Sequence, residues 1–331
     1  PQVNALQDRV VDWLAPLWGM ETGHLVPGGT IENLTALWAA RDGAGATTIV
    51  TSEAASVSVK KISRVLGMPL ILIDSDPDER INLDALIDFA RRDPDGMSRT
   101  VVVLTAGTQN TGAIDPLKDA MKGLAHLGLS PAWWHVDASW AGPLAFSSRY
   151  RGLLKGIDDA DSVTVSTHKL MFQPTESALV LFRNAVRSDA VLEFAGPDNT
   201  TQIGLLGSRS DRSLAIALLL LAYGQDGLAS WLETGIGNMM TVAEALHGRD
   251  DVEVFNSPTS GVLLWRPLLK DTDDVLAQLG ATVAGLGLAD GRHWVRQVGS
   301  NPIMDVDELI ERIFRVLDDP EVEAAVSNAH G

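Results

Sequence analysis

The residue best placed for covalent chemistry is Lys169, which follows an alternating β run that begins at Ser162. The run SVTVSTHKLMFQP ends in a polar step, His168 and Lys169, before an apolar stretch that Pro174 closes. Burial among apolar residues makes an amine easier to deprotonate and therefore a usable nucleophile toward a carbonyl. The pattern indicates Schiff-base chemistry, although most lysines are solvated surface charges and a His-Lys pair also occurs by chance.

A carboxylate stands at the end of the preceding predicted strand. The segment AWWHVDASWAG, from Ala132 to Gly142, is an apolar strand that brings Asp137 to its carboxyl end, the edge at which open parallel sheets bind their ligands. A carboxylate and a lysine at successive strand ends are the two charges that pyridoxal 5'-phosphate (PLP) requires, to keep the pyridine nitrogen protonated and to hold the aldehyde as an aldimine. His135 could stack or cap, but a histidine inside a strand is more often a satisfied core residue.

Together these segments resemble the group II PLP-dependent amino acid decarboxylases, the fold type I family of aromatic-amino-acid, glutamate and diaminobutyrate decarboxylases. The resemblance implies an α/β fold of the PLP-dependent transferase type, with a mostly parallel sheet in a large domain and a small C-terminal α+β domain. It also implies decarboxylation of an L-amino acid to the amine and CO2 through a Lys169 aldimine, with Asp137 and Lys169 as catalytic residues. Ser139 would touch one ring face, and Ser166 and His168 would hold the phosphate.

A Gly-Gly-Thr turn opens an amphipathic helix near the start of the chain. Amides at a helix N-terminus bind anions, although most such starts are only caps. The turn is similar to the phosphate loop of the family, which usually reads Gly-Gly-Thr-Glu-Ala-Asn. Here Ile31 stands where that glutamate is usual, Glu32 follows it, and Asn33 matches. Gly29 and Thr30 are expected to bind phosphate, because their role uses amides and a hydroxyl.

Further candidate residues depart from the family pattern or have an alternative explanation. Ser56 stands where the family has a histidine that stacks on the cofactor ring. Thr108 and Gln109 lie in AGTQNTG, similar to the family's Gly-Thr-Thr-x-Thr-Gly, and could approach the ring hydroxyl or form a plain glycine turn. Arg296, in the predicted strand HWVRQV, is implied to lie at the substrate end of the site, but a structural salt bridge is equally compatible with its apolar neighbours.

Strands and helices alternate between residues 47 and 182, which predicts a doubly wound sheet. We assign residues 1–234 to an N-terminal helix and the large PLP-binding domain, and residues 235–331 to the small domain. The first helix is predicted over residues 3–20. In the small domain, helices are predicted over residues 238–246, 273–286 and 305–317, and strands over residues 261–266 and 293–298.

Composition limits the partners and the compartment. The chain has 331 residues, a formal charge of -17 and a pI near 4.7, which argues against nucleic acid or an anionic membrane as a partner. It has no cysteine, no metal motif and no apolar run of the roughly 18 residues that a membrane span requires. We expect a cytoplasmic protein. The resemblance implies a homodimer, with the cluster from Ser208 to Arg212 near the partner's active site.

The sequence leaves open which residue delivers the proton that the substrate carbon takes up after decarboxylation. The resembling decarboxylases carry a tyrosine on a mobile loop, but Tyr150 and Tyr223 both lie outside the matching stretch, in which Phe194 is the only aromatic residue. Either this loop is missing from a chain that begins at Pro1 without a methionine, or the proton comes from elsewhere. In the second case the site could act as an aldehyde-forming oxidase, a carbon–carbon lyase or an aminotransferase. A non-catalytic PLP-fold binding protein is the remaining alternative.

Overall fold

The computed structural model describes residues 2–192, 203–207 and 212–319. It divides into two compact units, the first comprising residues 1–109 and 113–229 and the second comprising residues 110–112 and 230–331. The boundary expected between residues 234 and 235 lies close to this division, which falls within a long helix.

The first unit contains a seven-stranded sheet with a mostly parallel centre. Its strands in chain order are β1 (Thr22–Val26), β2 (Thr48–Ser52), β3 (Leu70–Ile73), β4 (Thr100–Thr105), β5 (Trp133–Asp137), β6 (Ser162–Val165) and β7 (Ala178–Phe182). Their spatial order is β1-β7-β6-β5-β4-β2-β3, and the five strands from β6 to β3 are parallel. All six residues of β4 are buried, as expected for a central parallel strand covered on both faces.

The helices of this unit lie between and after the strands. They are α1 (Gln2–Leu14), α2 (Gly28–Ala44), α3 (Val57–Leu66), α4 (Leu83–Arg92), α5 (Pro94–Met97), α6 (Leu117–His126), α7 (Ala185–Leu192) and the start of α8 (Ser213–His247). Short 3-10 helices span Ala15–Trp18, Gly142–Phe146, Arg151–Leu154 and Ile157–Asp159.

The first predicted helix is shorter than expected, and a strand follows it that was not predicted. The helix α1 ends at Leu14, because Pro16 stands in the 3-10 turn that continues from it. β1 pairs antiparallel with β7. At Gly23 of β1, a Cβ atom would lie 2.5 Å from the Leu181 side chain. The position of β1 is therefore decided by close contact with a strand far away in the chain.

The sheet brings three strand ends and one helix start together. In the pairing register, Thr105 of β4 is opposite Asp137 of β5, and Asp137 is opposite Thr164 of β6. Parallel strands that end level in this way place the residues after them along one edge. The helix α2 packs on this sheet through Leu37 and Ala40, both fully buried, and its first turns reach the same edge.

The second unit has its own antiparallel sheet and core. It contains β8 (Val252–Val254), β9 (Val262–Pro267), α9 (Thr272–Leu279), β10 (Gly285–Ala289), β11 (Arg292–Val298) and α10 (Val306–Asp318), with strand order β10-β11-β9-β8. The helix predicted over residues 273–286 is wrong in its second half. Gly280, at φ +78°, ends α9 after Leu279, and residues 285–289 pair with β11 instead.

The helix α8 is long and apolar. Its 35 residues include a kink at Gly224, where φ is +63°. An 18-residue window has a mean hydropathy of 1.3 and is 17% buried, so by length and composition alone it could cross a membrane. The expectation that no segment reaches this length is wrong for α8. One such helix is weak evidence for a span, and the absence of a membrane partner stays a prediction.

Candidate active site

Asp137 is held as a hydrogen-bond acceptor at the end of β5. Its Oδ1 accepts from the backbone N–H of Ser139 at 3.1 Å and from the Ser139 hydroxyl. Its Oδ2 accepts from Nδ2 of Asn33 at 2.9 Å. Hydrogen bonds from N–H groups stabilise the ionised form of a carboxyl group. The buried carboxylate at this strand end is therefore supported by two N–H donors and one hydroxyl.

A chain of hydrogen bonds runs from Asn33 into the sheet. Because Asn33 donates through Nδ2 to Asp137, its Oδ1 faces Nε2 of His135 at 2.8 Å and accepts from Thr164 Oγ1 at 3.0 Å. His135 must then carry its proton on Nε2. Its Nδ1 accepts from Ser162 Oγ at 2.8 Å. The orientation of the Asn33 amide thus fixes the tautomer of His135.

His135 is neutral in this position. It is completely buried, and burial lowers the pKa of His135 to about 4, although the negative charge of Asp137 acts in the opposite direction. His135 had been weighed as a satisfied core histidine, and the structure adds that the ring contacts the residue that holds Asp137. Sequence inspection could not reveal this, since Asn33 and His135 are 102 residues apart.

Glu32 joins two of the candidate site serines. Its Oε1 lies 2.6 Å from Ser139 Oγ and accepts from Ser166 Oγ at 2.7 Å, and the side chain is fully buried. Burial, and then the charge of Asp137, raise the pKa of Glu32 to about 7, while Ser139, Ser166 and the positive charge of Lys169 oppose the shift. Glu32 was noted as a departure from the phosphate-loop pattern, but it was not predicted as a site residue.

Lys169 and His168 lie just beyond the end of β6. The Lys169 backbone N–H donates to the Ser166 carbonyl at 3.3 Å, and the Lys169 ammonium is close enough to Glu32 to influence its ionisation. Nδ1 of His168 lies 2.6 Å from the Ser177 carbonyl oxygen. With Nδ1 donating to that carbonyl, Nε2 of His168 is left to contact a ligand.

The start of α2 offers an anion site. Pro27 precedes the helix without a side-chain cap, so the first backbone N–H groups are available to a ligand. A Cβ atom on Gly29 would lie 3.2 Å from Glu32 Oε1 and 3.3 Å from Ser166 Oγ. A side chain at this position would crowd both oxygens, so glycine keeps the approach open, and the exposed Thr30 follows it. Amides, a hydroxyl and a nearby histidine form a donor set that fits a phosphate group.

Other predicted residues are placed differently. Ser56 caps α3, where its Oγ accepts from the Ser58 backbone N–H at 3.2 Å and from the Ser58 hydroxyl at 2.9 Å. Thr108 Oγ1 accepts from the Ala113 backbone N–H at 3.1 Å, which is turn chemistry. Gln109 is exposed. The contacts that join Asp137, Ser139 and Ser166 include none of these three side chains, and their cofactor contacts stay predictions.

Arg296 lies on β11 of the second unit. Burial lowers the pKa of its guanidinium group, and its role as a substrate contact stays a prediction. Phe194 and residues 208–211 of the serine and arginine cluster lie outside the described residues.

Comparison with known proteins identifies the family. The profile described as "Pyridoxal-dependent decarboxylase conserved domain" matches residues 1–266. The chain belongs to the pyridoxal-dependent decarboxylase family. The L-2,4-diaminobutyrate decarboxylase of Rhizobium meliloti (strain 1021) is 29% identical, over 99% of this chain and 72% of that protein. The aromatic-L-amino-acid decarboxylase of Bacillus atrophaeus is also 29% identical, over 80% of this chain and 60% of that protein.

Solved structures agree on the fold. The crystal structure of Catharanthus roseus tryptophan decarboxylase in complex with L-tryptophan has a TM-score of 0.84 at 21% identity, covering 96% of this chain and 76% of that one. The predicted α/β fold of this family is thus confirmed. The family match and the curated relatives confirm PLP as the cofactor and amino acid decarboxylation as the reaction. The donor set at Gly29, Ser166, Asp137 and Lys169 fits PLP, since it supplies an anion site, a carboxylate and an amine.

Proposed function

We propose that this decarboxylase binds PLP through Lys169, Asp137 and the start of α2, and that it removes the α-carboxyl group of an L-amino acid at that place. The observation that carries the proposal is the pair of charges at adjacent strand ends, the supported carboxylate of Asp137 after β5 and Lys169 beyond β6. PLP, when bound, supplies an electron sink for the electrons released from the substrate.

Each residue has a role that follows from its surroundings. Lys169 is the amine that would hold the cofactor aldehyde covalently, because it is partly buried just beyond β6, the strand that pairs with the end of β5 at Asp137. Asp137 accepts a hydrogen bond from the pyridine nitrogen and keeps that nitrogen protonated. Asn33, itself held by His135, orients Asp137 and satisfies its second oxygen. Gly29, Thr30, Ser166 and His168 hold the phosphate.

Borohydride reduction of the loaded enzyme followed by peptide mapping tests the central role of Lys169. The cofactor should be found on Lys169. The Lys169→Ala variant should lose CO2 release by about four orders of magnitude or more, whereas Lys122→Ala, at an exposed position of α6 outside the site, should keep full activity. Cofactor fixed to another lysine, or full turnover in Lys169→Ala, would refute the proposal.

The accepted amino acid is decided by measuring CO2, amine and hydrogen peroxide together over a panel of L-amino acids. The relatives include diaminobutyrate, aspartate and aromatic-amino-acid decarboxylases, so the panel should contain all three substrate types. Neither tyrosine lies in the stretch that matches the family's loop, and a fold neighbour at 18% identity is a 4-hydroxyphenylacetaldehyde synthase. Peroxide and aldehyde as the main products would replace simple decarboxylation by aldehyde formation.

We further propose that the enzyme is a homodimer. The proposal is supported by an exposed apolar stripe on the first turns of α8, formed by Leu214, Leu218 and Leu221, which are 56%, 58% and 84% exposed. Their spacing places them on one face of the helix, and large exposed apolar patches mark interfaces. Sedimentation equilibrium should give twice the chain mass, and Leu221→Glu should shift the protein toward monomer. A wild-type monomer at micromolar concentration would contradict the dimer.

The cytoplasmic location and the absence of nucleic-acid binding rest on composition, namely no cysteine and a formal charge of -17. Fractionation of cells followed by an activity assay tests the first proposal. Retention on immobilised DNA at physiological salt would contradict the second.

A further inference from the structure

Glu32 is a buried acid at the cofactor site for which the proposed mechanism has no use. The side chain is fully buried, and its Oε2 has no hydrogen-bond partner among the described residues. It stands where the usual family loop has alanine, so it is a feature of this chain. A buried carboxyl oxygen without a partner costs free energy unless the group is neutral or a ligand contacts it.

The contacts of Ser139 require a proton on one of two carboxyl groups. Its single hydroxyl oxygen lies 2.6 Å from Glu32 Oε1 and also within hydrogen-bond distance of Asp137 Oδ1. A serine hydroxyl carries one hydrogen, so it cannot donate to two carboxylates at once. The second short contact is a hydrogen bond only if that carboxyl group itself carries a proton and donates it.

The donors around each acid show where this proton lies. Asp137 accepts an N–H bond on each of its oxygens, from Ser139 and from Asn33, so both oxygens act as acceptors. Among the described residues, the hydrogen-bond partners of Glu32 are hydroxyl groups, which can accept as well as donate. The consistent arrangement has Glu32 donating to Ser139 Oγ, Ser139 donating to Asp137, and Ser166 donating to Glu32.

The charges that face Glu32 come from two neighbouring elements. Asp137 at the end of β5 favours the neutral form, and Lys169 beyond β6 favours the ionised form. His135 lies behind Asn33 and is neutral. Burial is the largest influence and raises the pKa of Glu32 to about 7, so the proton on Glu32 is gained or lost near neutral pH.

The same carboxyl group stands at the anion-binding start of α2. Its Oε1 lies 3.2 Å from the position of a Cβ on Gly29 and accepts the Ser166 hydroxyl that the phosphate is expected to use. An ionised Glu32 would repel a phosphate group here and compete for the same donor. A neutral Glu32 would do neither.

We propose that Glu32 is a proton-holding positioning residue, which in its neutral form links Ser139 to Ser166 and admits the anionic cofactor, and in its ionised form weakens cofactor binding. This inference rests on the proposed cofactor site. It predicts that PLP binding to the full-length apoenzyme weakens as pH rises. Replacement of Glu32 by alanine, the residue of the usual family loop, should remove that dependence.

The test is a titration of the full-length apoprotein with PLP at several pH values, in which cofactor fluorescence measures binding. From about pH 6 to about pH 8.5, the Kd of the wild type should rise at least about tenfold more than that of Glu32→Gln, since one pKa unit corresponds to a factor of ten. Ionisation of the cofactor phosphate and of Lys169 affects the Kd of both proteins equally, so it does not contribute to the difference between them. If Glu32→Gln does not fold, Glu32→Ala takes its place, since alanine is the residue of the usual family loop.

Glu53→Gln provides a matched control, because Glu53 is exposed in the turn after β2, and it should follow the wild type. Parallel pH dependences in the wild type and in both Glu32 variants would overturn the proposal. Infrared difference spectra of wild type minus Glu32→Gln, taken without cofactor, should show a protonated carboxyl band at about pH 6 that is lost by about pH 8.5. Absence of that band would refute the proton on Glu32, whatever residue the borohydride experiment labels.

Discussion

Two buried acids of the first unit, Glu32 and Asp115, are alike in burial and different in their partners. Asp115 is 2% exposed, and its Oδ1 and Oδ2 accept the backbone N–H groups of Ile81 at 2.7 Å and of Thr105 at 2.6 Å. Among the described residues, the hydrogen-bond partners of Glu32 are two serine hydroxyls, both at one oxygen. Burial raises the pKa of Asp115 to about 6 and that of Glu32 to about 7.

The comparison shows that a raised pKa does not by itself mark a functional site. Asp115 uses both oxygens to tie the segment before α4 to the end of β4, which is a structural role. Glu32 has one oxygen without a hydrogen-bond partner among the described residues, and it contacts Ser139 and Ser166, which we propose to lie at the cofactor site. What separates the two acids is the identity of their donors, because backbone N–H groups must be satisfied in the folded chain while hydroxyls can turn to a ligand.

The largest expected effect is the loss of stability in Asp115→Ala. Two buried N–H groups lose their acceptor, which should lower the free energy of unfolding by about 4 kcal/mol. Urea denaturation of the apoprotein measures this change, and Asp12→Ala, at an exposed position of α1, should change it by less than about 0.5 kcal/mol. The folded variant should still bind PLP with the wild-type pH dependence. Stability equal to the wild type would remove the structural role of Asp115.

A smaller effect concerns how stability depends on pH. Because folding raises the pKa of Glu32 from 4.5 to about 7, its contribution to stability is full below pH 4.5 and is lost as pH rises to about 7. The loss amounts to about 3 kcal/mol. The free energy of unfolding of Glu32→Gln, relative to the wild type, should therefore increase by about that amount over this pH interval.

The corresponding comparison for Asp115→Asn separates the two acids. Folding raises the pKa of Asp115 from 3.8 to about 6, so its change with pH should be complete about one pH unit below that of Glu32→Gln. Urea denaturation at four pH values measures both curves. Coincident curves would mean that the two carboxyl groups titrate alike and would remove the contrast between them.

The smallest expected effect is that of Ser139→Ala. Loss of the hydroxyl should lower the free energy of unfolding by about 1 kcal/mol. It should also move the midpoint of pH-dependent PLP binding, since the Ser139 hydroxyl contacts Glu32 Oε1. Ser230→Ala, at an exposed position of α8, is the control. A midpoint that does not move would show that Ser139 does not act on Glu32.

Sequence reasoning succeeded where a short local pattern carries the information. The apolar run before Asp137 and the alternating run before Lys169 predict strands with chemistry at their carboxyl ends, and both residues follow central parallel strands in the structure. It failed where a distant partner decides the local structure. Thr22–Val26 forms a strand only against β7, and the helix predicted over residues 273–286 yields to a strand that pairs with β11.

The sequence by itself determined the family and the cofactor and indicated the two charged residues that we propose for the site, because these depend on motifs that are contiguous in the chain. Only the tertiary structure decided which residues surround those charges. Glu32 meets Ser139 and Ser166 across 107 and 134 residues, and Asn33 meets Asp137 across 104. No local pattern encodes such contacts, since they exist only when the first turns of α2 pack against the ends of β5 and β6. The burial that holds a proton on Glu32 arises from that packing.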